Sequence, residues 1–167
     1  NQDVVDIYNS VNEPIFVVDG KTAYVYFDGS ILVPTDILRG EGDTGFEGIF
    51  RFVQEQDFSG FTSPYGGGRI GDYGNPGQTV LRPSNEVLPD ELMQYKSESN
   101  FIGFHEPGVI NLIVHPVSYF DEKKAMIGHS KGCINVRPCD YALIRDFIDV
   151  NSYMYIVPGY YSQPPQP

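Results

Sequence analysis

The chain has 167 residues, a formal net charge of −11, 41% hydrophobic and 14% aromatic residues, and no tryptophan. That length makes one domain with room for a real core, and that apolar content argues against disorder. The negative charge repels phosphate backbones and anionic lipid, which argues against nucleic acid as a partner, and no run of about 18 apolar residues is present to span a membrane. Abundant Tyr, Phe, Gly and Pro favour strands joined by turns over a helical bundle. The opening at Asn1, in place of a methionine, reads as that of a processed or trimmed chain whose export signal has gone.

In chain order, residues 1–14 read as an N-terminal arm, polar with scattered Val and Ile, either a short arm or a helix turn. Ile15-Phe16-Val17-Val18 is a strand broken by Asp19-Gly20, Ala23 to Phe27 a second broken by Asp28-Gly29, and Ile31-Leu32-Val33 begins a third. Asp-Gly between apolar runs is a strong hairpin signal, and two in succession make a β-meander. Residues 57–84 form a turn-rich insertion, with Phe58, Phe61 and Tyr65 among Gly66-Gly67-Gly68, then Asn75-Pro76-Gly77. Such a stretch is either a plain surface loop or a lid whose aromatics close over a peptide groove. The glycine run is no phosphate cradle, because no Gly-Lys-Ser/Thr follows it.

Leu88 to Lys96 has Pro near its start, acids in the first turn and Lys in the last, which predicts a short helix. Phe101 to Phe104 and Val109 to Val114 read as strands. Asp140 to Asp149 predicts a second helix, with Leu143, Ile144, Phe147 and Ile148 on one side. Met154 to Val157 is a last strand, and 158–167 a Pro-rich tail. The predicted class is mainly β with two short helices.

The chemistry concentrates in Gly128-His129-Ser130-Lys131-Gly132-Cys133-Ile134-Asn135-Val136-Arg137, preceded by the buried-strand pattern Asn111-Leu112-Ile113-Val114-His115. A thiol and an imidazole at the mouths of adjacent strands suit covalent acyl transfer. The plainer alternatives are a packed Cys133 and a hydrogen-bonded His115 capping its strand. His105, His115 and His129 with Cys133 and Cys139 lack zinc spacing, so no metal is expected; His105 falls in a loop and His129 on the site rim. A Cys133–Cys139 disulfide across the short loop would silence the nucleophile.

These residues resemble the active-site signature of the L,D-transpeptidase (YkuD) family, in which a His-Gly pair and a short loop precede a Ser-His-Gly-Cys-Ile/Val-Arg block. The resemblance covers roughly 15–157, including Gly48-Ile49-Phe50, where the family has a Thr-Pro-x-Gly-x-Phe segment. It implies a YkuD-like β-sandwich or barrel, with Cys133 as nucleophile and His115 as base and later acid. Pro116, where the family usually has Gly, would offer its backbone carbonyl to the other ring nitrogen. The N–H groups of Lys131, Gly132 and Cys133 would form the oxyanion hole, and Ser130 would brace the loop or bond the site. Lys131 replaces the family's usual His and would either stabilise the thiolate or point to water. Asn135 stands where the family has Arg, and Arg137, one strand repeat on, either binds a substrate carboxylate in its place or makes a plain salt bridge.

By the same resemblance, the substrate is a peptidoglycan stem peptide, cut between the L-centre of its third residue and the terminal D-alanine outside the cytoplasm. The acyl group would pass from a Cys thioester to an amine, or to water in an L,D-carboxypeptidase. No cofactor is implied, and carbapenems would react at the same cysteine. Relatives also include toxins exported against competing bacteria. Papain-type and NlpC/P60-type peptidases place histidine after cysteine, and sortases separate the two much further. The departures at Pro116, Lys131 and Asn135 keep open a catalytically inactive binding domain.

Overall fold

A computed structural model describes residues 1–40, 47–63, 68–97, 112–130 and 132–160. Its strands are β1 (Ile15–Asp19), β2 (Thr22–Phe27), β3 (Ser30–Leu38), β4 (Gly48–Gln56), β5 (Val80–Ser84), β6 (Val114–Pro116), β7 (Ile134–Val136) and β8 (Tyr153–Ile156). They close a barrel in the order β1-β2-β3-β7-β6-β5-β4-β8. Three α-helices, α1 (Gln2–Val11), α2 (Phe120–Met126) and α3 (Pro138–Arg145), and a 3₁₀ helix (Asp90–Tyr95) lie around it. The predicted Phe101–Phe104 strand, the first half (109–111) of Val109–Val114, Tyr65 with Gly66 and Gly67, His105, Lys131 and 161–167 lie outside the described residues.

The expected mainly-β architecture is present. The β1–β2 and β2–β3 registers end at Asp19↔Thr22 and Phe27↔Ser30, so each loop has two residues. Asp28 (φ 48°) and Gly29 (φ 81°) both take the left-handed conformation, which matches the twist of the hairpin they close. β1 is apolar on both faces because both are covered. Phe16 and Val18 point into the barrel with Phe50, Phe52, Val114 and Ile134. Ile15 and Val17 point outward onto Val4 and Ile7 of α1. Each such buried side chain contributes on the order of 1.5–3 kcal/mol.

Three sequence expectations are corrected. The N-terminal arm is the ten-residue helix α1, capped by the Asn1 side chain and closed by Asn12 at φ 53°. The helix expected from Asp140 begins at Pro138, and its buried side is Tyr141, Ile144 and Ile148, while Leu143 and Phe147 are exposed. The insertion 57–84 ends in β5, a barrel strand buried at every position.

The segment before β5 is fastened to the chain leaving β6 and to the start of α3. The Ser118 N–H donates to Gly71 O (2.9 Å), Ser118 Oγ donates to Asn75 Oδ1 (2.7 Å), and Gln78 Nε2 donates to Pro138 O (2.9 Å). Gly74 (φ 98°) allows the closest approach, since a Cβ there would overlap the Pro116 ring and Gln78 Oε1. Gly77, at a similar φ of 87°, has nothing within 4 Å of such a Cβ. Gly77→Ala should therefore cost only the left-handed strain, about 1–2 kcal/mol. Gly74→Ala should lose a further ~1–3 kcal/mol from overlap. Urea unfolding of the two variants measures the difference, and equal midpoints would contradict this packing.

Candidate active site

β6 and β7 pair in parallel, with Val114↔Ile134, His115↔Asn135 and Pro116↔Val136 in register. Parallel neighbours cannot be joined by a tight turn, and here α2 makes the crossover. The pairing sets the His115 and Asn135 side chains on the same side of adjacent strands. The Ile134 N–H donates to Ile113 O (3.0 Å), which carries the alignment one step back towards Cys133.

His115 is buried, 5% exposed. Its Nδ1 lies 2.9 Å from the carbonyl oxygen of Pro116, and a carbonyl only accepts, so Nδ1 carries the hydrogen. Nε2 is then the acceptor, 3.1 Å from Asn135 Nδ2. Asn135 Oδ1 in turn accepts from Lys123 Nζ at 2.6 Å. The Tyr73 ring, from the segment before β5, rests against the imidazole with centroids 4.9 Å apart. Its other neighbour is the Phe58 ring, at 5.3 Å.

Cys133 is half-buried and in no disulfide, and neither is the exposed Cys139. Burial pushes the Cys133 thiol up to about 11, against the opposing pull of a backbone hydrogen bond at Ile113 and of the Lys123 and Arg82 cations. Burial likewise pushes His115 down to about 4; the Pro116 contact and Asp72 oppose this, while Lys123 adds to it. Lys123 therefore acts on both the thiol and the imidazole, and Tyr73 also feels the Cys133 charge. Burial thus favours the neutral thiol at Cys133 and the neutral imidazole at His115, two groups that share the Lys123 charge. A depressed thiol and fast alkylation near neutral pH, the signs expected of an activated cysteine, do not belong to this resting state.

The remaining candidates separate. Ser130 is buried; its Oγ donates to Cys133 O and accepts from the Gly132 N–H (3.3 Å), so it braces the loop. That N–H is thereby turned inward to Ser130, away from the oxyanion-hole position expected of it. Gly132, at φ 130°, holds a backbone angle that favours glycine. His129 is half-buried, with Nδ1 3.3 Å from Ser130 O. Arg137 is corrected: it follows β7 as the residue before α3, and its guanidinium donates to Asp121 (2.8 and 2.9 Å) and Asp36 (3.5 Å), with Asp140 at 3.8 Å. It makes the salt bridge, and three carboxylates occupy it.

Sequence reading missed Lys123, Arg82, Tyr73 and Asp72. Asp72 is buried, accepts from the Ser63 N–H (2.7 Å) and the Tyr119 hydroxyl, and so ties the segment before β5 to the start of α2. Arg82, on β5, is buried with its guanidinium 5.4 Å from the Phe58 ring centroid. The signal for Lys123 was present: acids then lysines across 120–126 mark a helix, and three residues from buried Phe120 is an inward position. Among the described residues, no cluster of His, Cys, Asp and Glu could hold a metal ion, and no helix is long and apolar enough to cross a membrane.

The buried neutral imidazole links folding to pH. Between about 4 and the ordinary 6.5 the unfolded chain binds a proton at this position and the folded chain does not, so stability rises with pH across that window. The contribution is complete above 6.5, and about 3 kcal/mol is lost as pH falls to 4. Urea unfolding at pH 7 and pH 4.5 should show this loss in the parent chain and a shallower fall in His115→Gln. Equal falls would contradict the assignment.

No family model matches the chain, and no curated protein sequence matches it. Solved structures do. The Ldtfm–avibactam carbamoyl enzyme matches 89% of this chain and 50% of its own, with a TM-score of 0.56 and 14% identity. The LD transpeptidase LdtMt1 in complex with imipenem matches 86% and 58%, at 0.51 and 16%. L,D-transpeptidase 3 from Mycobacterium tuberculosis, in complex with a faropenem-derived adduct, matches 86% and 60%, at 0.53 and 12%. The chain spans half to three-fifths of these proteins' lengths. At such identities the likeness is one of fold, and the fold is that of the L,D-transpeptidases.

Proposed function

We propose that the protein is a peptidoglycan-acting cysteine acyltransferase, an L,D-transpeptidase working outside the cytoplasm on tetrapeptide stems. The observation that carries this reading is the His115 ring, pinned at Nδ1 by the Pro116 carbonyl with Nε2 left as the basic nitrogen, in one electrostatic cluster with Cys133. The barrel fold shared with L,D-transpeptidases supports it.

In this reading the Asn135 N–H, which occupies the one Nε2 lone pair at rest, lets go, and Nε2 takes the Cys133 proton as the sulfur attacks the carbonyl of the L-centre–D-alanine bond. Lys123 and Arg82 stabilise the sulfur's developing charge, and the Cys133 backbone N–H, with the Gly132 N–H once Ser130 Oγ releases it, stabilises the oxyanion. The C–N bond then breaks, and D-alanine leaves with the proton from Nε2–H. The thioester left behind passes to an amine, or to water. Because the resting thiol is neutral, substrate binding has to shift the proton and help exclude water from the charge that forms. The same neutral thiol is what favours the second reading, an inactive binding domain on this fold.

Incubation with tetrapeptide muropeptides followed by mass spectrometry tests the proposal. Dimers are expected from a transpeptidase, and loss of D-alanine without dimers from a carboxypeptidase. Cys133→Ala should abolish either product, and unchanged substrate with the parent chain would support the binding domain. Imipenem should add covalently to the parent chain and to Cys139→Ser, and not to Cys133→Ala. An adduct that survives loss of Cys133 would move the chemistry elsewhere.

A further inference from the structure

The Lys123–Asn135–His115–Pro116 line has a fixed polarity. An ammonium has only donors, so the Asn135 atom 2.6 Å from Nζ is the oxygen. Asn135 must then present its NH₂ to the ring at 3.1 Å, and Nε2 must accept. At the far end the Pro116 carbonyl requires Nδ1–H. Both ends demand the same tautomer, and only one arrangement of hydrogens satisfies all four groups.

Helix geometry places the lysine. Phe120 is buried, and Lys123 lies one turn on, on the same face, whereas Lys124 turns outward to Asp36 at 3.1 Å. Asp121, also outward, pairs with Arg137. The helix is thus held on its outer side by exposed charges while Lys123 reaches in. Burial depresses the Lys123 ammonium, opposed by Cys133 and Asp72. An ammonium partly withdrawn from water beside a thiol and an imidazole is an unusual choice for simply joining α2 to β7, which an apolar contact could do.

We propose that Lys123 is a positioning residue for His115: its ammonium orients the Asn135 amide, and the amide holds the imidazole in the Nδ1–H form by donating to the Nε2 lone pair, a bond that must open before Nε2 can act as the base. The catalytic meaning of this rests on the acyltransferase reading above; the positioning itself does not. A second effect follows from the same charge, which favours thiolate at Cys133 and disfavours imidazolium at His115. The other charged or titratable groups facing this pair are Asp72 and Tyr73 from the segment before β5, and Arg82 from β5.

The test uses the whole chain carrying Cys139→Ser, labelled with ¹⁵N-histidine, with Lys123 kept or replaced by Met, Gln or Arg. His115→Gln assigns its resonance among the three histidines. Long-range ¹⁵N–¹H spectra of the parent should show the Nδ1–H tautomer. In Lys123→Met a mixture with the Nε2–H form is expected, and His115 should titrate at a higher pH. Alkylation of Cys133 by iodoacetamide at pH 8 should slow about three- to tenfold, because thiolate fraction changes tenfold per unit of pKa. Lys123→Arg should restore both readouts. Lys123→Gln, which keeps a donor but no charge, should keep the tautomer and still slow alkylation, and Lys123→Leu stands in should the Met variant not fold.

An unchanged tautomer together with unchanged titration and alkylation in the neutral variants would overturn the proposal, leaving Lys123 a structural tie. Muropeptide turnover separates the two claims. Turnover in the parent with an unmoved tautomer in Lys123→Met sinks the positioning role alone. A moved tautomer with no turnover in the parent sinks the acyltransferase reading and leaves the positioning intact.

Discussion

The parallel pairing of β6 with β7 is the constraint on which the candidate site depends. It makes Asn135 the register partner of His115 and brings Ile113 alongside the chain entering β7 at Cys133. It also forbids a tight connection, so the chain between the strands must cross over, and α2 is that crossover. The helix then contributes Lys123. Imidazole, amide, thiol and ammonium, spread over 21 positions of sequence, meet because of one three-residue strand pair.

Burial decides the chemistry of what meets there. Two cations pull the Cys133 thiol down and burial outweighs them, so the sulfur rests protonated. The contrast with Arg137 shows what exposure does to the same kind of interaction. Arg137 and Lys124, with Asp36, Asp121 and Asp140, form a half-exposed network on the outer side of α2. Each such pair contributes about 0–1 kcal/mol and is screened by salt. That network steadies the helix. The few charges facing inward, at low dielectric, are the ones able to shift a proton.

Much of the barrel was legible in the sequence, because the Asp-Gly turns and the apolar runs of β1 and β2 are local signals. Cys133 and His115 were singled out by the order of residues around them. What escaped needed tertiary information. Val4, Ile7 and Val11 recur at helical spacing, but the polar residues between them disguised α1 until β1 supplied an apolar face to cover. β5 carries Arg82, Pro83 and Ser84, which break any strand pattern, and it folds because barrel closure needs a strand between β4 and β6. Arg137 was extrapolated along an alternating strand, yet β7 stops at Val136. The cation near the thiol was sought at Lys131, beside Cys133 in sequence, while helical periodicity delivers Lys123 from ten residues before it.

In the proposed reaction the hydrogen-bonded line also bears on the step after attack. A neutral ring satisfies both of its neighbours, one as donor and one as acceptor. An imidazolium has donors at both nitrogens, so Nε2–H would face the Asn135 NH₂, donor against donor. Turning the amide over would relieve that clash but set its NH₂ against the Lys123 ammonium, which has no lone pair to offer. The Asn135 contact therefore opposes the protonated ring, as burial does, while the Pro116 and Asp72 backbone contacts favour it. A base built this way takes a proton reluctantly and surrenders it readily, which suits the protonation of a departing amine. The demand falls on the attack step instead, where the thiol must give up its proton inside the same buried cluster, and the Lys123 and Arg82 charges act in favour of that transfer.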